Sequence, residues 1–158
     1  TGVRKLFVRE SKDFLQKYFK KELFFTDVEG KTKDEVLKNL CRKVEQEKGL
    51  PETFTASVLK REELTPTDYG NLVALPHPER AFQERAFVAV AVLKEPIFWF
   101  RQKVQVVFLT AIGREEDENL QQFYEATTDL ILRPADVQNL IRHPDYDRLI
   151  QLLRRAEE

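Results

Sequence analysis

The run Phe87-Val88-Ala89-Val90-Ala91-Val92-Leu93 determines the architecture that we predict for this chain. It is rich in β-branched residues and contains no polar side chain, which is typical of a central strand covered on both faces. Lys94-Glu95-Pro96 is expected to end it. A second, predominantly apolar run extends from Val104 to Ile112 and stops at Gly113. Because two such strands need helices on both sides, we predict an α/β sandwich.

Two helices are predicted before these strands. Thr32-Lys33-Asp34-Glu35 is a capping box that starts the first, and Gly49 followed by Pro51 ends it. The second is expected from Glu52 to Glu63. Their buried faces are predicted to contain Val36, Leu37, Leu40, Cys41 and Val44 in the first helix and Phe54, Val58 and Leu59 in the second.

Three more helices are predicted after the strands. The first extends from Glu116 to about Leu132, with an acidic start that suits a helix N-terminus. Pro134 and Pro144 each mark the first residue of a further helix. The inward faces are predicted to carry Leu120, Phe123, Tyr124, Thr127, Leu130 and Ile131, then Val137, Leu140 and Ile141, and finally Tyr146, Leu149, Ile150 and Leu153.

The composition is that of an ordinary globular domain. The 158 residues are 42% hydrophobic and 34% charged, and 26 Lys and Arg against 27 Asp and Glu create no overall field for nucleic acid or an anionic membrane. One cysteine cannot form an internal disulfide, and no apolar run reaches the roughly 20 residues of a membrane helix. We therefore expect a cytoplasmic protein. With no methionine anywhere, the sequence is expected to be a piece of a longer one.

Residues 1–24 are more basic than the rest, with seven basic against three acidic side chains. Ser11 is predicted to cap a helix in this segment. We interpret residues 1–24 as a basic linker helix and residues 25–158 as the main domain. A nucleic-acid arm is the alternative, but no base-reading motif supports it, and aromatics at helical spacing usually indicate core. The apolar stripe of the helix comprises Phe14, Leu15, Tyr18 and Phe19.

The segment Tyr69-Gly70-Asn71-Leu72-Val73-Ala74-Leu75-Pro76-His77-Pro78-Glu79 contains one of only two histidines in the chain. Leu72 to Leu75 are predicted to form a short buried strand that ends at Pro76. Prolines on both sides of His77 remove two backbone donors and fix φ, so the imidazole is held in a stiff loop. His77 is therefore a candidate functional residue. The alternative is a histidine in a proline-rich surface turn.

A histidine can act as a base, a metal ligand or a nucleophile. A metal site would need more ligands, and only His143 and Cys41 remain, in no recognisable pattern. His143 is explained by turn and capping chemistry before a helix, and Cys41 by its place on an apolar stripe. No motif for a Ser-His or Cys-His pair is present. A histidine acting alone suits a phosphoryl acceptor, and we expect neither a metal nor a cofactor.

A longer segment carries a family resemblance. Lys60-Arg61-Glu62-Glu63-Leu64-Thr65-Pro66-Thr67-Asp68-Tyr69-Gly70-Asn71-Leu72-Val73-Ala74-Leu75-Pro76-His77 resembles the active-site region of the fructose/mannitol class of enzyme IIA domains of the bacterial phosphotransferase system. The likeness covers about residues 23–153 and includes the later Leu-Lys-Glu-Pro-Ile and Val-Phe-Leu-Thr-Ala-Ile segments. It implies a mixed sheet of about five strands with helices on both faces.

The resemblance also implies roles for two residues. His77 would accept a phosphoryl group from the histidine-containing phosphocarrier protein, and Arg61 would stabilise the phosphate through its planar donor fork. Without the resemblance, Arg61 is better interpreted as a surface helix residue in an i,i+4 pair.

Two positions depart from the transport members of this family. Many of those have a second histidine just before the leucine that corresponds to Leu120, whereas this chain has Asn119, an amide that can donate to phosphate but cannot exchange protons. Pro78 stands where many have glycine, so it offers no N–H. Both departures, with the Asn71 and Leu75 pattern, are closer to the IIA-like domains at the C-terminus of sugar-operon transcription regulators with paired regulatory modules.

The resemblance therefore implies a regulatory phosphoacceptor domain; whether it is an enzyme is left open. Its expected partners are the phosphocarrier protein, the other domains of the parent regulator, to which residues 1–24 would be the tether, and a IIB component as a further candidate. No direct nucleic-acid contact is expected. Two alternatives remain: a transport-type enzyme IIA that passes phosphate to a IIB component, and a binding module without chemistry. Phe98 to Phe100 would suit docking in each case, though core filling explains them equally well.

Overall fold

The computed structural model describes residues 14–155. Within that range the chain forms six helices and five strands, and no helix is long and apolar enough to cross a membrane. In chain order the elements are α1 (Leu15–Tyr18), β1 (Phe19–Phe25), α2 (Lys33–Lys48), α3 (Thr53–Leu64), β2 (Asp68–Gly70), β3 (Val73–Ala74), β4 (Phe87–Phe98), β5 (Lys103–Ala111), α4 (Leu120–Ile131), α5 (Pro134–Arg142) and α6 (Tyr146–Arg155).

The strands form one mixed sheet in the order β1-β4-β5-β3-β2. The two predicted apolar strands, β4 and β5, pair antiparallel at its centre, with Val90 opposite Phe108. β1 joins β4 in parallel, and β3 joins β5 in parallel, with Val73 opposite Val106. β2 completes the sheet as an antiparallel neighbour of β3. The predicted mixed five-stranded sheet is confirmed.

Alternate side chains of the central strands enter two separate hydrophobic cores. Val88 and Val90 contact residues of α1, α4, α5 and α6 on one face, whereas Ala89 and Ala91 contact residues of α2 and α3 on the other. Burying a large apolar side chain stabilises the fold by about 1.5–3 kcal/mol, so both layers contribute strongly. The predicted sandwich, with helices on both faces, is also confirmed.

The predicted capping box starts α2. Thr32 Oγ1 accepts from the Glu35 N–H at 3.2 Å, and Glu35 Oε2 accepts from the Lys31 N–H at 2.8 Å. At the other end, Gly49 takes the left-handed conformation with φ 65°. Cys41 lies fully buried on the inner face, where burial raises the pKa of its thiol. It is therefore an unreactive core residue, as predicted.

β4 is longer than predicted. Lys94-Glu95-Pro96 does not end it, because pairing with β5 resumes where Ile97 lies opposite Val104. The register shifts between Val92 and Ile97, and a proline is tolerated within such an irregularity because the ladder is already interrupted there.

The predicted strand from Leu72 to Leu75 is shorter than expected. Only Val73–Ala74 pairs as β3, because Leu72 has a φ of 69° in the turn that connects β2 to β3. β2 itself was not predicted. Asn71, in the same turn, also has a positive φ of 53°, and its Nδ2 donates to the Ile131 carbonyl at 2.6 Å.

The N-terminal helix prediction holds only for Leu15–Tyr18. Phe19 does not continue the helix but begins β1 and pairs with Val88. The expected boundary between residues 24 and 25 falls inside this strand. Ser11, the predicted cap, lies outside the described residues.

The helices after the sheet begin later than predicted in two of three cases. α4 starts at Leu120 rather than Glu116, and α6 starts at Tyr146 rather than Pro144, whereas α5 starts at Pro134 as predicted. Asp145 precedes α6 and its Oδ1 accepts from the N–H of Arg148, within the first turn, at 2.8 Å. The predicted inward face of α4 is wrong at one position: Tyr124 is 38% exposed.

Candidate functional site

His77 follows β3 at its carboxyl end, and the backbone leading to it is fixed on both sides. The Leu75 N–H donates to the Thr67 carbonyl, and the Thr110 N–H donates to the Pro76 carbonyl, each at 3.0 Å. These bonds extend the contacts of the sheet beyond the two paired residues of β3. Hydrogen bonds therefore fix the backbone of the loop as far as Pro76, the residue before His77.

The loop beyond His77 is anchored as well. The Glu79 N–H donates to Ser57 Oγ of α3 at 2.7 Å. The Phe82 ring packs edge-on against Phe54, with 5.5 Å between centroids. Gln83 Nε2 donates to backbone carbonyls at the end of β5. These contacts supply the stiffness that the flanking prolines predict.

Gly113 brings a second loop against the His77 loop. A Cβ at this position would lie 2.3 Å from the Glu84 carbonyl oxygen and 2.6 Å from the Arg85 carbonyl carbon, so only glycine fits. The Arg114 N–H donates to the Gln83 carbonyl at 3.0 Å, and Arg114 Nη1 binds Glu84 at 2.7 Å. The two loops therefore support each other beside His77.

The imidazole of His77 is half-buried, and its Nδ1 lies 3.4 Å from the Leu75 carbonyl oxygen. A carbonyl oxygen can only accept, so this contact is compatible with the tautomer that carries its proton on Nδ1, and that tautomer has its lone pair on Nε2. A nucleophile or phosphoryl acceptor needs that lone pair.

His77 lines a cavity of about 250 Å³ between its loop, the end of β5 and α4. A larger groove of about 1170 Å³ lies beside α2 and the end of β4, but it contains none of the residues predicted for the site. The smaller cavity combines apolar walls with hydroxyl groups. Its lining residues are Leu75, His77, Thr110, Ile112, Phe123, Tyr124, Thr127 and Thr128.

Arg61 lies on α3, one helical turn after Ser57 and on the same side of the helix. Its Nη1 donates to the Thr65 carbonyl at 2.9 Å. The structure thus places Arg61 on the helix that anchors the His77 loop, but the guanidinium contacts the end of its own helix and not the imidazole. Among residues 14–155 the Arg61 guanidinium forms no salt bridge with a carboxylate.

Asn119 lies at the start of α4. Its carbonyl accepts from the Phe123 N–H at 2.9 Å, and its own N–H donates to Asp117 Oδ1 at 3.0 Å. Phe123 lines the cavity, whereas Asn119 does not. The structure therefore brings Asn119 to the helix that walls the cavity, one turn away from it.

α1 supports this wall from behind. The Tyr18 ring stacks on Phe123 with 4.8 Å between centroids, and its hydroxyl donates to Asp117. Burial, reinforced by the Asp117 carboxylate, raises the pKa of Tyr18. Desolvation opposes ionisation of Asp117, but hydrogen bonds from Tyr18 and from the Asn119 N–H lower its pKa below the ordinary value.

The other candidate residues lie elsewhere. Cys41 belongs to the core under α2, and His143 is exposed at the end of α5, where its N–H donates to the Asn139 carbonyl. Neither lines the His77 cavity. Among residues 14–155, no group of three or more His, Cys, Asp or Glu residues is arranged to hold a metal ion.

Three contributors to this site were missed by the sequence analysis. Thr110 carried a signal, because a hydroxyl group interrupts the otherwise apolar end of a predicted strand. Ser57 and Thr128 carried none, since a small polar residue on a helix is ordinary.

Comparison with known proteins shows the family of the chain. Residues 17–156 match the family described as phosphoenolpyruvate-dependent sugar phosphotransferase system, EIIA 2. The probable licABCH operon regulator of Bacillus subtilis (strain 168) is 36% identical over 140 residues, which are 89% of this chain and 22% of that protein. The transcriptional regulator ManR of the same strain is 27% identical over 120 residues, 76% of this chain and 18% of ManR. The chain thus spans about a fifth of the length of these relatives.

Solved structures share the fold at low identity. The nitrogen regulatory protein IIA-Ntr from Neisseria meningitidis gives a TM-score of 0.74 at 18% identity, covering 89% of this chain and 99% of that one. Enzyme IIAMTL from Escherichia coli, solved in complex with phosphorylated enzyme IIBMTL, gives 0.70 at 18% identity, covering 85% and 97%. Since the family match covers nearly the whole chain, this chain belongs to the EIIA 2 family of the phosphoenolpyruvate-dependent sugar phosphotransferase system.

Proposed function

We propose that this domain is a phosphoacceptor that regulates a sugar-operon transcription regulator, with His77 Nε2 as the accepting atom. The observation that carries the proposal is the presentation of His77: Nδ1 faces the Leu75 carbonyl, and the ring lies in a loop held from both sides at the mouth of a cavity. The two Bacillus subtilis relatives are named as regulators, which supports a regulatory rather than a transport role.

The transfer needs few protein groups. The lone pair of Nε2 forms the new bond to phosphorus while the bond between phosphorus and the ring nitrogen of the phosphocarrier histidine breaks, and that electron pair returns to the carrier ring. The proton on Nδ1 stays in place. Because such a reaction depends mainly on positioning, the anchored loop supplies a large part of the catalysis by holding the nucleophile in orientation.

Arg61 is the proposed phosphate-stabilising residue. Its guanidinium needs only to exchange the Thr65 carbonyl for phosphate oxygens, which a planar donor fork binds in pairs. Asn119 stands one turn from the cavity and replaces the second histidine with an amide that carries no proton for an onward step. This favours a domain that holds phosphate over one that relays it.

Phosphorylation would place about two negative charges at a fixed position on the domain surface. In the proposed setting this charge alters contacts with the other domains of the parent regulator. The donor is the histidine-containing phosphocarrier protein, and the reaction takes place in the cytoplasm. A IIB component is the partner in the transport alternative. The solved complex of enzyme IIAMTL with phosphorylated enzyme IIBMTL is an example of such a pair.

The test is phosphoryl transfer with phosphoenolpyruvate, enzyme I and the phosphocarrier protein, followed by intact mass. We expect one acid-labile phosphate on the wild type and none on His77→Ala. His143→Ala is the matched control, because it removes the other histidine at an exposed position away from the cavity, and it should be phosphorylated normally.

Absence of phosphate on the wild type, while a known enzyme IIA in the same mixture is phosphorylated, would favour the binding module without chemistry. Rapid loss of the phosphate to a IIB component would favour the transport alternative.

A further inference from the structure

Two threonine hydroxyls in the His77 cavity have no hydrogen-bond partner within the described part of the chain. Thr110 and Thr128 both line the cavity, yet their hydroxyls make no hydrogen bond to protein among residues 14–155. Both side chains are half-buried, so the hydroxyls can be reached from the cavity. A third lining threonine, Thr127, differs because its Oγ1 donates to the Phe123 carbonyl at 3.0 Å.

The backbone fixes both groups relative to His77. The N–H of Thr110 donates to the carbonyl of Pro76, the residue just before the histidine. Thr110 also shares its face of β5 with Phe108, since side chains alternate along a strand. Thr128 lies on α4 one turn after Tyr124, and its carbonyl accepts from the Leu132 N–H. Both hydroxyls are therefore carried by backbone that hydrogen bonds hold in place.

The cavity offers a phosphoryl group no positive charge. Among the described residues, those that line it include no arginine, no lysine and no histidine other than His77. The oxygens of a phosphoryl group on Nε2 need donors when they leave water, because an unpaired charged acceptor is costly. Hydroxyl groups meet this need, and as neutral donors they do not disfavour the Nε2 lone pair before transfer.

We propose that Thr110 and Thr128 donate hydrogen bonds to the phosphoryl oxygens on His77. This inference rests on the proposed function, in which His77 accepts the phosphoryl group. The two threonines position and stabilise the group from inside the cavity, which Asn119 does not line. Tyr124 also carries a hydroxyl, but it is 38% exposed, so water replaces it readily.

The experiment compares isosteric variants in the transfer reaction. Thr110→Val and Thr128→Val keep the shape of the side chain and remove the donor. We expect each to lower the rate constant for transfer from the phosphocarrier by about tenfold or more, because a hydrogen bond to a charged group is lost. The KM for the carrier should be unchanged, because this hydrogen bond forms only after the carrier has docked. Thr110→Ser and Thr128→Ser should restore most of the rate. Thr53→Val is the matched control and should leave the rate unchanged, because it removes a threonine hydroxyl at an exposed position that does not line the cavity.

The outcomes separate the inference from the proposed function. If wild type is phosphorylated on His77 and both Val variants react at the wild-type rate, the assignment of the threonines is wrong and the proposed function stands. If wild type takes no phosphate, the proposed function itself fails. Should a Val variant unfold, as judged by circular dichroism, Ala and Ser at the same position replace it, and equal rates for these two would overturn the proposal.

Discussion

The polar groups near the two ends of β5 differ in their hydrogen bonding. Near its start, Glu62 is only 1% exposed, and its Oε1 accepts from Trp99 Nε1 and from the Thr67 N–H, both at 2.7 Å. Near its end, the hydroxyls of Thr110 and Thr128 have no protein partner in the described chain. Polar groups that satisfy each other stabilise a fold, whereas polar groups left open are available to a ligand. The difference supports the proposal that the functional site lies at the His77 end.

The start of β5, where the loop 99–102 joins it to β4, is called the hairpin end. Its contacts also account for the aromatic run from Phe98 to Phe100. Trp99 is buried and bonded to Glu62, so core filling is the correct interpretation for this ring. Phe98 and Phe100 on either side are 64% and 49% exposed. Asp68 Oδ2 accepts two backbone N–H groups of the hairpin, at 2.7 and 3.0 Å, which fixes the loop that presents them. A docking role for the two exposed rings remains a prediction.

The largest effect is expected from breaking the hairpin end. Glu62→Ala removes the acceptor of the buried Trp99 N–H and of the Thr67 N–H, and unsatisfied buried donors cost about 1–3 kcal/mol each. We expect the free energy of unfolding to fall by about 3 kcal/mol, as measured by urea denaturation. The folded fraction should still be phosphorylated on His77, since Glu62 does not line the His77 cavity.

Glu62→Gln is the control for that variant. Its side-chain oxygen can still accept from both N–H groups, so most of the stability should be retained. If Gln and Ala destabilise equally, the hydrogen bonds at Glu62 do not carry the stability assigned to them.

A smaller effect is expected behind the His77 cavity. Tyr18→Phe keeps the stacking on Phe123 but removes the hydrogen bond to Asp117, at a cost of about 1 kcal/mol at neutral pH. The folded pKa of Tyr18 is raised above the ordinary 10.0, so its contribution is complete below pH 10 and is lost as the pH rises further. The folded pKa of Asp117 is lowered, so its contribution is complete above about pH 3.8 and is lost as the pH falls below that.

Thermal unfolding of wild type and variant across pH checks this expectation. The two curves should converge toward both extremes of pH, although some alkaline loss remains in the variant because the pKa values of Tyr124 and Tyr146 are also raised. A constant difference between the curves at every pH would mean that the hydrogen bond is not linked to these ionisations.

The smallest effect is expected at the exposed rings. Phe98→Ser and Phe100→Ser should change the free energy of unfolding by less than about 0.5 kcal/mol each, because both side chains are exposed. Trp99→Ser, between them, should destabilise strongly. A large loss at Phe98 or Phe100 in urea denaturation would show that the hairpin end depends on more than Trp99.

The central sheet and the helix ends could be predicted because their signals are local. The apolar runs of β4 and β5 and the capping box at Thr32 each contain the reason for their structure within a few residues. β1 could not be predicted in this way. Phe14, Leu15, Tyr18 and Phe19 have helical spacing, and only pairing with β4 makes Phe19 begin a strand.

The site was predictable in part for the same reason. The prolines around His77 are a local signal for a stiff loop, and the structure adds the anchors that hold it. The cavity depends on α4 crossing the end of β5, which joins residues far apart in the chain. For that reason Thr110 and Thr128 were not predicted, and the separation of Asn119 from the cavity was visible only in three dimensions.

The parallel pairing of β1 with β4 affects the order in which the strands of the sheet come together during synthesis. Phe19 must wait for Val88 before it can pair, whereas β4 and β5 are neighbours joined by the short loop 99–102 and can close as soon as both exist. Closing contacts between distant segments is slow compared with forming a hairpin. The centre of the sheet is thus expected to form early and β1 late, and β1 brings Tyr18 with it. The wall behind His77 would then be completed in the last stage of folding.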